Sequence, residues 1–110
     1  MIAISIQQPF VEQILQGVKR REYRSKRTHV RGRVYLYASL KGRPETSEWR
    51  KVGCSPGSLR TGVIVGTVKI VGCKELASGE FAYLLEDPKR LRRPRKVKNQ
   101  PQPVFWHPVF

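Results

Sequence analysis

A chain of 110 residues with 39% apolar composition predicts a single domain, 1–110, with one modest core. Its 22 lysines and arginines face only 8 acids, for a net charge of +14, too few acids for the interleaved ion-pair networks that stabilise some charged surfaces. No apolar run approaches the roughly eighteen residues of a membrane span, and two cysteines, Cys54 and Cys73, make no disulfide framework.

Ile2, Ile4 and Ile6 alternate with Ala3 and Ser5, the period of a half-buried strand. A strand starting so early leaves no room for a signal peptide, so a cytoplasmic or other intracellular setting is expected. Pro9 then opens a helix, where its missing N–H costs nothing. Phe10, Val11, Ile14 and Leu15 recur at helical spacing and form one apolar face. Gly17 ends the helix in the left-handed conformation. About two turns of helix cannot stand alone, so packing must hold this one.

Polar groups crowd both ends of that helix. Ser5, Gln7 and Gln8 precede it; Lys19, Glu22 and Arg24 follow it. Small domains often build a ligand cleft from such convergence. Two alternatives are purely structural. Glu22 and Arg24 share a strand face, being two residues apart, and could form an ion pair that ties strands together. Gln7 or Gln8 could cap the helix instead of facing a ligand.

Arg33–Ser39 reads as a strand, with Val34, Leu36 and Ala38 on one face and Tyr35 and Tyr37 on the other. Pro44–Val52 reads as a second short helix with acids early and bases late, matching the helix dipole, and Trp49 as its packing residue. Cys54–Arg60 is a loop. Gly62–Cys73 is a long β-branched strand that bends at Gly62, Gly66 and Gly72. Phe81–Glu86 is another strand, closed by Asp87-Pro88; the basic stretch to Lys98 then crosses the surface as a loop. Val104–Trp106 is a last short strand. The result is a mostly β fold with short helices (α+β), a small barrel of five to six strands.

The charge falls in two runs. Eight basic residues lie between Lys19 and Arg33, including Arg21, Lys26 and Arg27; seven lie between Lys89 and Lys98, including Arg92, Arg93, Arg95 and Lys96. Packing needs no such runs, and their repulsion opposes folding. A polyanionic partner is the stronger reading against a merely solvated surface. Nucleic acid ranks above a membrane, because no basic amphipathic helix is long enough to lie on one. Tyr23, Tyr35, Tyr37 and Trp106 are candidate stacking faces for unpaired bases, or packing residues. Cys54, Cys73, His29 and His107 show no close metal-ligand spacing, so no metal is expected. The absence of a P-loop or dinucleotide fingerprint leaves no cofactor to predict.

The run Ser5-Ile6-Gln7-Gln8-Pro9 followed by Gly17-x-Lys19-x-x-Glu22-x-Arg24 resembles the signature of the ASCH domain, of the PUA-like superfamily. Arg31–Val34, Gly62–Gly72, Tyr83–Pro88 and Pro101–Pro108 with Trp106 are similar too, in the family's order. The resemblance implies a PUA-like barrel whose cleft beside the first helix takes a base or nucleotide, lined by Gln7, Gln8, Lys19, Glu22 and Arg24. It implies an RNA-binding domain, DNA being the lesser possibility. The two basic runs would then meet beside that cleft, with Arg21, Lys26, Arg27, Arg92, Arg93, Arg95, Lys96 and Lys98 on phosphates. Some relatives are ribonucleases, so the alternative is a metal-independent ribonuclease with Lys19 and Glu22 catalytic. Others deacylate modified cytidines through a Lys, a Thr three residues on and a Glu on a later strand. Here Glu22 holds the Thr position and no acid falls within Gly62–Cys73, which argues against that activity. A module for an acidic protein partner is the weaker alternative.

Overall fold

Ala3–Gln7 forms β1, and Phe10–Leu15 forms α1. Arg21–Arg24 is β2, Gly32–Ser39 is β3 and Thr46–Arg50 is α2. Val63–Glu75 is β4, Phe81–Arg95 is β5 and Phe105–Trp106 is β6. This is a computed structural model, and it describes residues 1–40 and 44–110.

The strands make one six-stranded sheet in the order β2-β5-β4-β3-β1-β6. Only β1 and β3 run parallel; the other pairs are antiparallel. The sheet curls into a half-barrel that brings its ends together. Tyr83 on β5 stacks on Phe105 of β6 with ring centroids 6.0 Å apart, and the Arg24 guanidinium on edge strand β2 donates to the Ser5 carbonyl of β1 at 2.7 Å.

Period-two alternation sorts the side chains. Ile4 and Ile6 of β1 and Val34, Leu36 and Ala38 of β3 enter the main core, together with Val11 and Ile14 of α1. Ala3, Tyr37, Ile64 and Trp106 form a second cluster, flanked by Tyr35, Leu91, Val97 and Phe110. Burying each Val, Leu or Ile of these clusters is worth about 1.5–3 kcal/mol. Gly17 takes φ 79°, the left-handed conformation that ends α1. Gly66 has a different reason to be glycine. A Cβ there would meet Leu15 Cδ2 and the Lys89 carbonyl oxygen, both at 2.6 Å, so the missing side chain lets helix and strand approach.

Two expectations change. The second helix is shorter than Pro44–Val52, although Trp49 is buried on it as expected. The larger correction concerns Lys89–Arg95. These residues are not a surface loop; they continue β5. Asp87 and Pro88 stand together opposite Val68 alone, a β-bulge, and pairing resumes at Lys89 with Thr67. A bulge is where a strand tolerates proline, because no ladder hydrogen bond is needed there. A wider excursion follows: four β5 residues, Leu91 to Pro94, oppose Val65 before Arg95 pairs with Ile64. No described helix is long and apolar enough to cross a membrane.

Candidate functional site

The turn after α1 builds the site. Val18 and Lys19 both donate their backbone N–H to the Gln13 carbonyl, at 2.9 and 3.0 Å. This tight exit sets Lys19 against the first residues of β2. Its ammonium lies 3.5 Å from Glu22 Oε1 and over two rings, 5.3 Å from the centroid of Phe10 and 5.1 Å from that of Tyr23. Glu22 Oε2 accepts from Arg24 Nε at 2.8 Å. Arg24 also bonds the Ser5 carbonyl, so the Lys19–Glu22–Arg24 triad closes the barrel edge between β2 and β1. Glu22 is buried, and one carboxylate answers two cations.

This triad bounds a cavity of about 540 Å³, within the roughly 300–1,000 Å³ of small-molecule sites. Ser5 and Gln7 of β1 form one wall, and Tyr37 of β3 another. The segment Gln100–Pro103, after β5, forms the last. That segment is fastened by Ser5, whose Oγ donates to the Gln102 carbonyl at 3.0 Å and accepts from Trp106 Nε1 at 2.8 Å.

Gln7, Lys19, Glu22 and Arg24 therefore share one cavity, and Gln8 does not line it. Gln8 is buried; its Oε1 accepts the Glu12 N–H at 3.1 Å and its Nε2 donates to the Arg60 carbonyl at 3.2 Å. It caps the first turn of α1. Arg21 and Lys26 are exposed. Arg27 pairs with Glu75 at 3.0 Å and covers the Phe81 ring. Arg92, Arg93, Arg95, Lys96 and Lys98 are all exposed, and none lines the cavity. Arg95 stacks over Phe110 at 3.5 Å. The second basic run instead reaches α1 through Arg90, which makes a two-armed pair with Glu12 at 2.9 and 2.7 Å. Arg90 holds the Glu12 carboxyl below the usual glutamate range, burial opposing it less strongly.

The aromatic candidates divide. Tyr35 packs edge-on against Phe110 and Tyr37 against Trp106. Burial pushes the Tyr37 phenol up. Tyr23 alone of the four stays open, 48% exposed, on the cavity wall. Tyr37, a candidate stacking face, does line the cavity, whereas Phe10 and Gln100–Pro103 were not foreseen as parts of the site. No local pattern announces the Gln100–Pro103 wall, because the pairing of β6 with β1 brings it to the cavity. Among the described residues no group of three or more His, Cys, Asp and Glu could hold a metal.

The ASCH domain family model matches residues 4–97. The chain belongs to the ASCH domain family. The match spans β1 to the end of β5 and so includes the Lys19–Glu22–Arg24 triad; it stops short of Gln100–Pro103. A search of curated proteins finds no match. In this ASCH domain β4 runs two residues past Cys73 and so contains an acid, Glu75. That acid is exposed, pairs with Arg27 and does not line the cavity, so it supplies no third member to a Lys–Thr–Glu hydrolytic set.

Proposed function

We propose that this ASCH domain binds single-stranded nucleic acid, RNA ahead of DNA, with phosphates on the exposed cations and an unpaired base in the cavity beside α1. One observation carries the reading. The cavity's own cations are answered by Glu22, whereas Arg20, Arg21, Lys26, Arg92, Arg93 and Lys96 are exposed and make no ion pair with a described residue. Solvent-facing cations in such surplus attract a polyanion and release its counterions on contact. The half-open Tyr23 ring at the cavity adds a face on which a base can stack, worth about 1–3 kcal/mol.

The ribonuclease alternative ranks below this reading. The Lys19 ammonium is engaged by a carboxylate and two ring faces, and Glu22 is engaged by two cations. To act as acid or base, either would have to exchange one of these contacts for the substrate.

Anisotropy of a labelled single-stranded RNA at 50 and 200 mM salt tests the reading. With about six phosphates engaged, affinity falls by roughly 10²–10³ across that interval. Absent or salt-insensitive binding would remove it. The same RNA, incubated in EDTA with wild type or Lys19→Ala, should stay intact; cleavage lost in the variant would revive the enzyme.

A further inference from the structure

Within the cavity, hydrogen-bonding capacity is unevenly spent. The charged triad is engaged internally: Arg24 bonds Glu22 and the Ser5 carbonyl, and Lys19 pairs with Glu22. Gln7, Gln100 and Gln102 also line the cavity, and their side-chain amides make no hydrogen bond to any described residue. Each amide offers two donor hydrogens and an acceptor oxygen, the paired pattern that reads the edge of a base.

The wall carrying two of these amides is also held firmly. Asn99 donates to the His107 carbonyl and accepts from the Val109 N–H, both at 2.8 Å, and the Lys98 N–H reaches the Val109 carbonyl at 2.6 Å. Ser5 fastens the middle through the Gln102 carbonyl, and the Ser5 N–H bonds the Val104 carbonyl at 2.9 Å. Pro101 and Pro103 fix their own φ angles on either side of Gln102. A backbone fixed before the ligand arrives keeps both residues at the cavity, so that binding has only their side chains left to order.

We propose that Gln100–Pro103 is the specificity-determining wall of this domain: the Gln100 and Gln102 amides, with Gln7, hydrogen-bond the edge of an uncharged base and choose which base enters. The inference rests on reading the cavity as a base site. It goes beyond that reading in assigning selectivity to a segment outside the family match, rather than to the Lys19–Glu22–Arg24 triad within it. Amides carry no charge, so they alter which strand binds without altering how many phosphates are held.

The test compares labelled twelve-nucleotide oligo-A, oligo-C and oligo-U on wild type and on the Gln100→Ala/Gln102→Ala double variant, each at two salt concentrations. Both side chains are exposed and unbonded, so the variant should unfold at the wild-type temperature. Wild type should separate its best and worst oligomer by at least about fivefold, the low end of what one good amide–base pair gives. In the variant the separation should shrink to within about twofold while the salt slope stays unchanged. A preference that persists in the variant overturns the inference and leaves the binding reading standing. So does a wild type that binds all three oligomers equally. Loss of affinity for all three alike in the variant overturns it as well, because amides that select among bases do not supply the backbone affinity. A wild type that binds none removes the reading underneath.

Discussion

The two basic runs look alike in sequence and behave differently in the fold. In the first, the structure consumes much of the charge. Lys19 and Arg24 share Glu22, Arg27 meets Glu75, Arg33 meets Asp87, and Arg31 bonds the Thr28 and Val30 carbonyls. In the second, Arg90 holds Glu12 and Arg95 lies on Phe110, but Arg92, Arg93, Lys96 and Lys98 face solvent without an ion pair to any described residue. A count of basic residues therefore overstates the charge a partner meets. The first run is mostly bonded within the fold, with Lys19 and Arg24 at the cavity edge; the second mainly offers free cations.

The sharpest way to break this contrast is Glu22→Ala. It strands two partly buried cations, and we expect a loss of about 2–4 kcal/mol in urea unfolding, below the range for fully buried pairs because Lys19 and Arg24 keep some solvent contact. A loss under 0.5 kcal/mol, on the order of an ordinary surface change, would mean the triad is not architectural. Next in size is neutralisation of Arg92, Arg93, Lys96 and Lys98 to Gln. Affinity for single-stranded RNA should fall roughly 10- to 100-fold and the salt slope should flatten by about 0.7 per phosphate lost, while stability stays within about 0.5 kcal/mol of wild type. An unchanged salt slope would return the binding role to the first run.

Arg90→Ala sharpens the comparison where the second run is tied to α1. We expect a cost of about 1–2 kcal/mol near neutral pH, discounted because the Arg90 side chain is half exposed. The sign with pH follows from the depressed Glu12 carboxyl. Its contribution is fully present above the ordinary glutamate value and fades as pH falls through the folded-state value. The gap between wild type and Arg90→Ala should therefore narrow in acid; a gap constant from pH 6 to pH 3 would show that the pair adds nothing through ionisation. The smallest effect belongs to Glu75→Gln. Its pair with Arg27 is exposed on both sides, so denaturant titration should show a change of under about 0.5 kcal/mol.

Legibility in the sequence followed locality. Ile4 and Ile6, and Val34, Leu36 and Ala38, face the core as their alternation implies, because pleat geometry alone decides it. Gly17 marked the end of α1 for an equally local reason. The continuation of β5 was hidden because Pro88 and Pro94 resemble strand breakers, and only the partner strand shows that each sits in an excursion from the ladder. Six of the cavity residues, Ser5, Ile6, Gln7, Lys19, Glu22 and Arg24, were visible in one motif. The Gln100–Pro103 wall was not, since its distance from Ser5 along the chain is closed by the pairing of β6 with β1 and by the bonds of Ser5 to Gln102, Val104 and Trp106. Gln8 could be read either way, and its burial with Oε1 on the Glu12 N–H decides for the cap.

Chemical-shift mapping of the backbone amides during titration with a single-stranded RNA tests the central claim most directly, because it sees cavity and cations at once. We expect the largest shifts at Lys19–Arg24 and Gln100–Gln102, with a second set at Arg92–Lys98. Shifts confined to other surfaces, with those three segments unmoved at saturation, would contradict it.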